Sequence, residues 1–185
     1  MSLDLKEFAQ RTRVLDGAWG TELQRRGLAA GTCPEIWNTE HPDDVEAVAS
    51  GYVQAGSDAI LTNTFGANRF VLRTHDAGDR AAELAEAGAV ISRRAVQGTD
   101  VKVFGSIGPT GKIVMMGEVG EDDLSSAFAE AAEALAWGKA DAIVLETFNE
   151  LDEARIALKA AKRATDLPVV VCMTFASGPD KTATM

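Results

Sequence analysis

A chain of 185 residues with 46% hydrophobic content can bury one substantial core, and its two widely separated cysteines, Cys33 and Cys172, give neither a disulfide framework nor a CxxC metal knuckle. Eighteen basic against 28 acidic residues leave a net charge of -10, which repels phosphate backbones and anionic lipid and so argues against nucleic acid and membrane partners. No apolar run reaches the length of a membrane span, and MSLDLKEFAQRTR carries charges where a signal peptide needs an apolar stretch, so a cytoplasmic protein is expected.

Short β-branched runs alternate with longer Ala-rich stretches, the pattern of βα units on a parallel sheet. The runs lie around Val14, Ile60, Val103, Val144 and Val170, and each is apolar enough to be buried on both faces. Between the first two, Pro42 to Ala55 puts Val45, Val48, Tyr52 and Val53 on one helical stripe. Arg69 to Val96 also reads as helical. After the third run, Asp122 to Trp137 repeats the stripe with Leu124, Phe128, Ala131 and Leu135. A last helix runs from Glu150 to Arg163, with Asn149 as its N-cap and Asp166-Leu167-Pro168 behind it.

Parallel strands at this spacing suit an open doubly wound sheet or a closed barrel. Asp16-Gly17-Ala18-Trp19-Gly20 puts a carboxylate where a dinucleotide's pyrophosphate would sit, which disfavours the former. GSIGPTG, Gly105 to Gly111, lacks the lysine and Ser/Thr of a phosphate loop and reads as a tight turn. The ends of the strands are polar: Asp16, then Asn63 and Thr64, Ser106, Glu146 and Thr147, and Thr174. In a closed sheet these would meet at one mouth, where two carboxylates suit a cationic group such as an amino acid's ammonium. Equally open is a structural role, with Asp16 capping a turn and Glu146 paired with a neighbouring lysine or arginine.

Several segments resemble, in order, the motifs of the homocysteine S-methyltransferase family. VLDGAWGTELQRRG resembles its opening block, CPEIWNTEHPDDV its Pro-Glu segment, and AGSDAILTNTFGANR its second strand. GSIGPTG, ADAIVLETFNELDEARIAL and PVVVCMTF follow with the same likeness. The resemblance implies a (β/α)8 TIM-type barrel of which residues 1–185 would be about the first five β/α units, a single homocysteine-binding domain that is C-terminally incomplete. It implies methyl transfer to the thiol of homocysteine, giving methionine. The family's amino-acid-binding carboxylates map to Asp16 and Glu146, with Gly17, Asn63, Thr64 and Phe65 lining the same mouth.

Thiol methylation needs a thiolate, and a free thiol with a pKa of about 8.5 is mostly protonated at neutral pH. In the resembled family zinc on three cysteines supplies the acidity, and those cysteines lie beyond the fifth strand. The segment is therefore expected to carry no metal ligand and no catalytic residue: Cys172 reads as a packed thiol, Cys33 as incidental, and His41 and His75 as surface residues. The partners expected from the resemblance are homocysteine and a methyl donor, which relatives take from betaine, S-methylmethionine, methylfolate or a methyl-corrinoid protein. A truncated enzyme, a non-catalytic or split subunit that needs a missing C-terminal half, and a homo-oligomer closing its own sheet all suit five strands where a barrel of about 250 residues has eight.

Overall fold

The computed structural model describes residues 3–175. After a short helix α1 (Leu5–Phe8) come α2 (Trp19–Arg25), α3 (Trp37–Glu40) and α4 (Pro42–Gln54), then the first strand of the sheet, β1 (Ala59–Leu61). Helices α5 (Arg69–Leu72) and α6 (Ala81–Ala95) lead to β2 (Lys102–Ile107), α7 (Glu121–Trp137) to β3 (Ala142–Phe148), and α8 (Leu151–Ala164) to β4 (Val169–Met173). The four strands are parallel and lie in sequential order. That order never reverses as a doubly wound sheet must, and it is the order of a barrel wall.

The strand alternation sorts the apolar residues onto two faces. Ile60 and Val103 pack under Ala49 and Val96, while Ile107, Ile143 and Leu145 pack under α7 and α8, where Phe128 and Phe148 are fully buried with rings 5.9 Å apart. On the opposite face Ala59, Phe104, Ala142 and Val144 form a second layer, closed at one end by Leu5 and Phe8 of α1. The helix stripes fall where the periodicity puts them: Val45 and Val48 of α4 are buried, as are Leu124, Phe128, Ala131 and Leu135 of α7.

Register is set by one device used twice. Asp58-Ala59-Ile60 and Asp141-Ala142-Ile143 each open a strand. The N–H of Asp58 donates to the carbonyl of Val14 at 2.7 Å, and its carboxylate accepts the N–H of Val14 at 3.0 Å. Asp141 does the same with Val103, at 2.7 and 2.8 Å. Each carboxylate thus takes a backbone N–H, of Val14 or of Val103, that would otherwise be left without a partner.

Four expectations need correction. The run around Val14 is no strand but a single parallel bridge, Leu15 to Ala59. It stops because the carboxylate of Asp16, not a backbone carbonyl, accepts the next N–H, that of Leu61. Second, the Val170 run is not buried on both faces: Val171 and Cys172 are both exposed, and as neighbours on the strand they stand on opposite faces of the sheet. Third, the stretch from Arg69 to Val96 breaks at Asp76, whose left-handed φ of 57° ends the first helical segment. Fourth, the residue at the N-cap of α8 is Glu150 rather than Asn149, and its side chain makes no cap hydrogen bond.

Candidate functional site

Beyond the C-terminal ends of β1 to β3 lies a cavity of about 410 Å³. Its wall includes Gly17, Asn63, Thr64, Phe65, Ser106 and Glu146. Asp16 stands directly behind Gly17, and five of the six residues singled out for the site thus line one cavity with the sixth beside it.

Asp16 is held on one side only. Its Oδ2 accepts the Leu61 N–H at 2.7 Å and the Trp19 indole N–H at 2.8 Å, while Oδ1 is buried with no hydrogen-bond partner among the described residues. Burial pushes the Asp16 carboxyl above the usual carboxylate range against the pull of those two bonds, and the nearby Glu146 carboxylate pushes it further. The two carboxylates therefore sense one another across the mouth. Asp16 does more than cap a turn, and Glu146 pairs with no lysine or arginine among the described residues. Its Oε1 instead accepts a short hydrogen bond from the Ser106 hydroxyl.

The direction of that bond follows from counting protons. The Thr64 hydroxyl donates to the Ser106 carbonyl at 2.7 Å, so its contact with Thr62 must use the Thr62 proton, and Thr62 accepts the Ser106 N–H at 3.0 Å. That chain uses only the N–H and carbonyl of Ser106, and the Ser106 hydroxyl donates to Glu146 because a carboxylate has no proton to give. The hydroxyl of Thr64 is thereby committed to the protein, and the residue is 2% exposed. Asn63 is similarly engaged: its NH₂ group donates to the Pro34 carbonyl and to Asn38 Oδ1, both at 2.8 Å. These two residues shape the wall, while Phe65 offers it an exposed ring.

Sequence reasoning missed Glu35, which also lines the cavity, and the layer behind the wall. Buried Glu35 accepts the Gly66 N–H at 2.7 Å and the Cys33 thiol at 3.0 Å, fixing the loop after β1. Asn38 donates to the carbonyls of Asn63 and Leu84, tying that loop to α6. Buried Glu153 of α8 accepts both the N–H and the hydroxyl of Thr110, which pins the GSIGPTG turn. No local signal marks them, because these bonds join side chains to distant backbone: Glu35 to Gly66, Asn38 to Asn63 and Leu84, and Glu153 to Thr110.

The two cysteines play different parts. Cys33 is buried in the cavity wall, and burial together with the Glu35 carboxylate pushes its thiol up to about 12. Cys172 is exposed rather than packed, and its thiol is raised by partial desolvation and by Glu146. His75 lines the cavity at an exposed position, whereas His41 stacks on Trp37 with centroids 4.3 Å apart. Among the described residues no three His, Cys, Asp or Glu side chains converge as a metal site. Among the described residues no helix is long and apolar enough to cross a membrane.

Comparisons with known proteins agree on one family. The model of the family described as homocysteine S-methyltransferase matches residues 13–185. The chain is 38% identical over 173 residues to methionine synthase of Mycobacterium tuberculosis, covering 86% of this chain, and 35% identical over 188 residues to that of Mycobacterium leprae, covering 92%. It spans only 14% and 15% of the lengths of those relatives. Among solved structures, the metallated form of the Escherichia coli homocysteine methyltransferase MmuM superposes with a TM-score of 0.73 at 20% identity, covering 97% of this chain and 69% of that one. The apo form gives 0.70, at 91% and 62% coverage.

Proposed function

The chain belongs to the homocysteine S-methyltransferase family, and from that premise we propose that it supplies the amino-acid-recognition half of a site where a methyl group passes to the sulfur of homocysteine. Asp16 and Glu146 together receive the substrate's ammonium group. The observation that carries this reading is the pair itself: Asp16 and Glu146 at one mouth, with no lysine or arginine paired to either and no donor to the buried Oδ1 of Asp16 among the described residues. A buried polar atom left unpaired costs stability, and an arriving ammonium offers up to three N–H donors that would relieve it. Gly17 leaves room for the ligand's approach, and Phe65 covers its aliphatic carbons.

Zinc, which the resemblance implies, does not fit the described residues, and its ligands are assigned outside them. The proton of the substrate thiol is therefore not removed by any step derived from these side chains. What they contribute is orientation: the ammonium anchored at Asp16 and Glu146 fixes the direction in which the thiol-bearing chain leaves the mouth. The methyl donor enters from the open side, and a methyl-corrinoid protein or methylfolate system fits the multidomain length of the related methionine synthases. The 185 residues act as one barrel-wall domain.

Glu146→Gln tests the reading, because it removes charge while keeping an acceptor for Ser106. Homocysteine affinity measured by calorimetry is expected to fall about 10- to 100-fold, the usual cost of truncating one partner of a charge-assisted contact. Unchanged affinity would remove Glu146 from the site.

A further inference from the structure

The segment ahead of Arg13 takes no part in the cavity, and the family match, over residues 13–185, leaves it out. It nevertheless has a defined seat. Asp4 caps α1, its carboxylate accepting the Lys6 N–H at 2.8 Å, and Leu3, Leu5 and Phe8 pack on the layer of the sheet that faces away from the longer helices. They do so at the strand starts, beside Lys102 and Asp141, the end opposite the cavity. The Phe8 ring meets the Phe104 ring with centroids 5.5 Å apart. The other apolar residues of that layer, from Ala59 to Val170, all belong to strands, so among the described residues its apolar cover comes from this segment alone. With the segment seated, Phe104 is 4% and Val144 5% exposed.

The seat is shallow. No residue of α1 is buried, and a cavity of about 490 Å³ stays open between the segment and the rim of the sheet, lined in part by Glu7, Phe8, Arg13 and Lys102. A single helical turn has no stability of its own, so its contacts alone keep it there. Three of them converge on Arg13. Its guanidinium lies 4.5 Å over the centre of the Phe8 ring, its Nε donates to the Phe8 carbonyl at 2.6 Å, and its Nη1 donates to the Asp58 carboxylate at 3.1 Å. One side chain thus joins the last residue of α1 to the carboxylate that sets the register of the sheet. The sheet has no matching need of α1: Asp58 holds Val14 through its own N–H and carboxylate, and the ladders of β1 to β3 use no atom of the segment. We infer that residues 3–8 are a detachable plug with Arg13 as its latch. Seated, the plug keeps the base of the sheet dry; when the latch opens it leaves as a unit, baring Phe104 and Val144 while the sheet stays folded. Local opening of this kind belongs to segments with few buried contacts. The inference is independent of the amino-acid reading of the mouth.

Limited trypsin digestion of the whole chain as its gene encodes it tests the device, because Lys6 lies within the plug. Cleavage after Lys6 is expected to give a clipped chain that accumulates, keeps its circular dichroism and binds the apolar dye anilinonaphthalene sulfonate more strongly than the intact chain. Arg13→Gln, which removes the charge and shortens the reach to Phe8, should speed that cleavage about tenfold, the scale of one cation–π contact with its hydrogen bond. Phe8→Ala should do the same, whereas Phe8→Tyr, which keeps the ring, should be cut at the unmodified rate. The proposal is overturned if no clipped chain accumulates, since α1 then opens only with the whole fold, or if the clipped chain gains no dye, since the segment then covers nothing. It is equally overturned if a folded Arg13→Gln is cut at the unmodified rate. Circular dichroism identifies a variant that does not fold, and Phe8→Ala carries the test if Arg13→Gln is such a variant.

Discussion

Asp16 holds a position that ordinary stability would select against. One of its oxygens is buried without a donor among the described residues, and burial raises its carboxyl with Glu146 adding to the effect. The sign of the consequence is definite. A carboxyl whose folded pKa lies above its unfolded value of 3.8 holds more protons in the folded state, so it makes stability fall as pH rises from about that value through the raised one. Asp16→Asn should remove that pH-dependent loss, making the unliganded protein as stable or more stable at neutral pH, because an amide carries no charge to desolvate. The same variant should bind homocysteine more weakly, and in the unmodified protein affinity should decline on acidification earlier than for an ordinary carboxylate. Urea unfolding and calorimetry at several pH values check both halves, and a variant that is less stable and binds normally would reverse the account. Asp16 and Glu146 were legible as strand-end carboxylates. What was not legible is their degree of compensation, because whether Asp16 has one bonded oxygen or two depends on Trp19 and Leu61 arriving from different segments.

At the scale of elements, the α-helices with strong stripes, α4, α7 and α8, fell within a residue or so of the expected bounds, because buried positions repeating every three or four residues leave little choice of face. The first strand and the helical stretch over Arg69 to Val96 departed from expectation for opposite reasons. The former lost its ladder to a side chain, and the latter was broken by a local turn that composition does not reveal. Gly88 shows how tertiary packing overrides propensity. In the middle of α6 a glycine normally costs about 1 kcal/mol relative to alanine. Here a Cβ would stand 2.6 Å from the Thr64 methyl and 2.7 Å from the Asn38 amide nitrogen, so the helix rests directly on the loop that shapes the cavity. Gly88→Ala is expected to destabilise the protein by about 1–3 kcal/mol, the usual cost of overpacking, instead of stabilising it. A denaturation midpoint that rises in this variant would mean that the Asn38–Asn63 pair yields, and that the cavity wall is softer than its hydrogen bonds suggest. Hydropathy could not foresee this contact, since it joins residues from three separate segments.

For the molecule as a whole, sequential parallel strands, the longer helices on one face and polar residues at one end form a contiguous piece of barrel wall with a cavity at its mouth. The composition and alternation of the sequence reached the α/β class unaided. The carboxylate in Asp16-Gly17-Ala18-Trp19-Gly20 disfavoured a dinucleotide-binding sheet, but the ordered motifs were needed to point to a barrel, because the two folds differ in how units are arranged in space and not in the units themselves. The central claim is that the acidic pair reads the ammonium group of homocysteine. It is tested most directly by comparing the affinities of homocysteine and its deaminated analogue sulfanylbutanoate for the unmodified protein and for Asp16→Asn/Glu146→Gln. The account predicts that the unmodified protein prefers homocysteine by about 100-fold or more, and that the double variant binds the two within about threefold of each other. A double variant that keeps the full preference, or an unmodified protein that shows none, would contradict it.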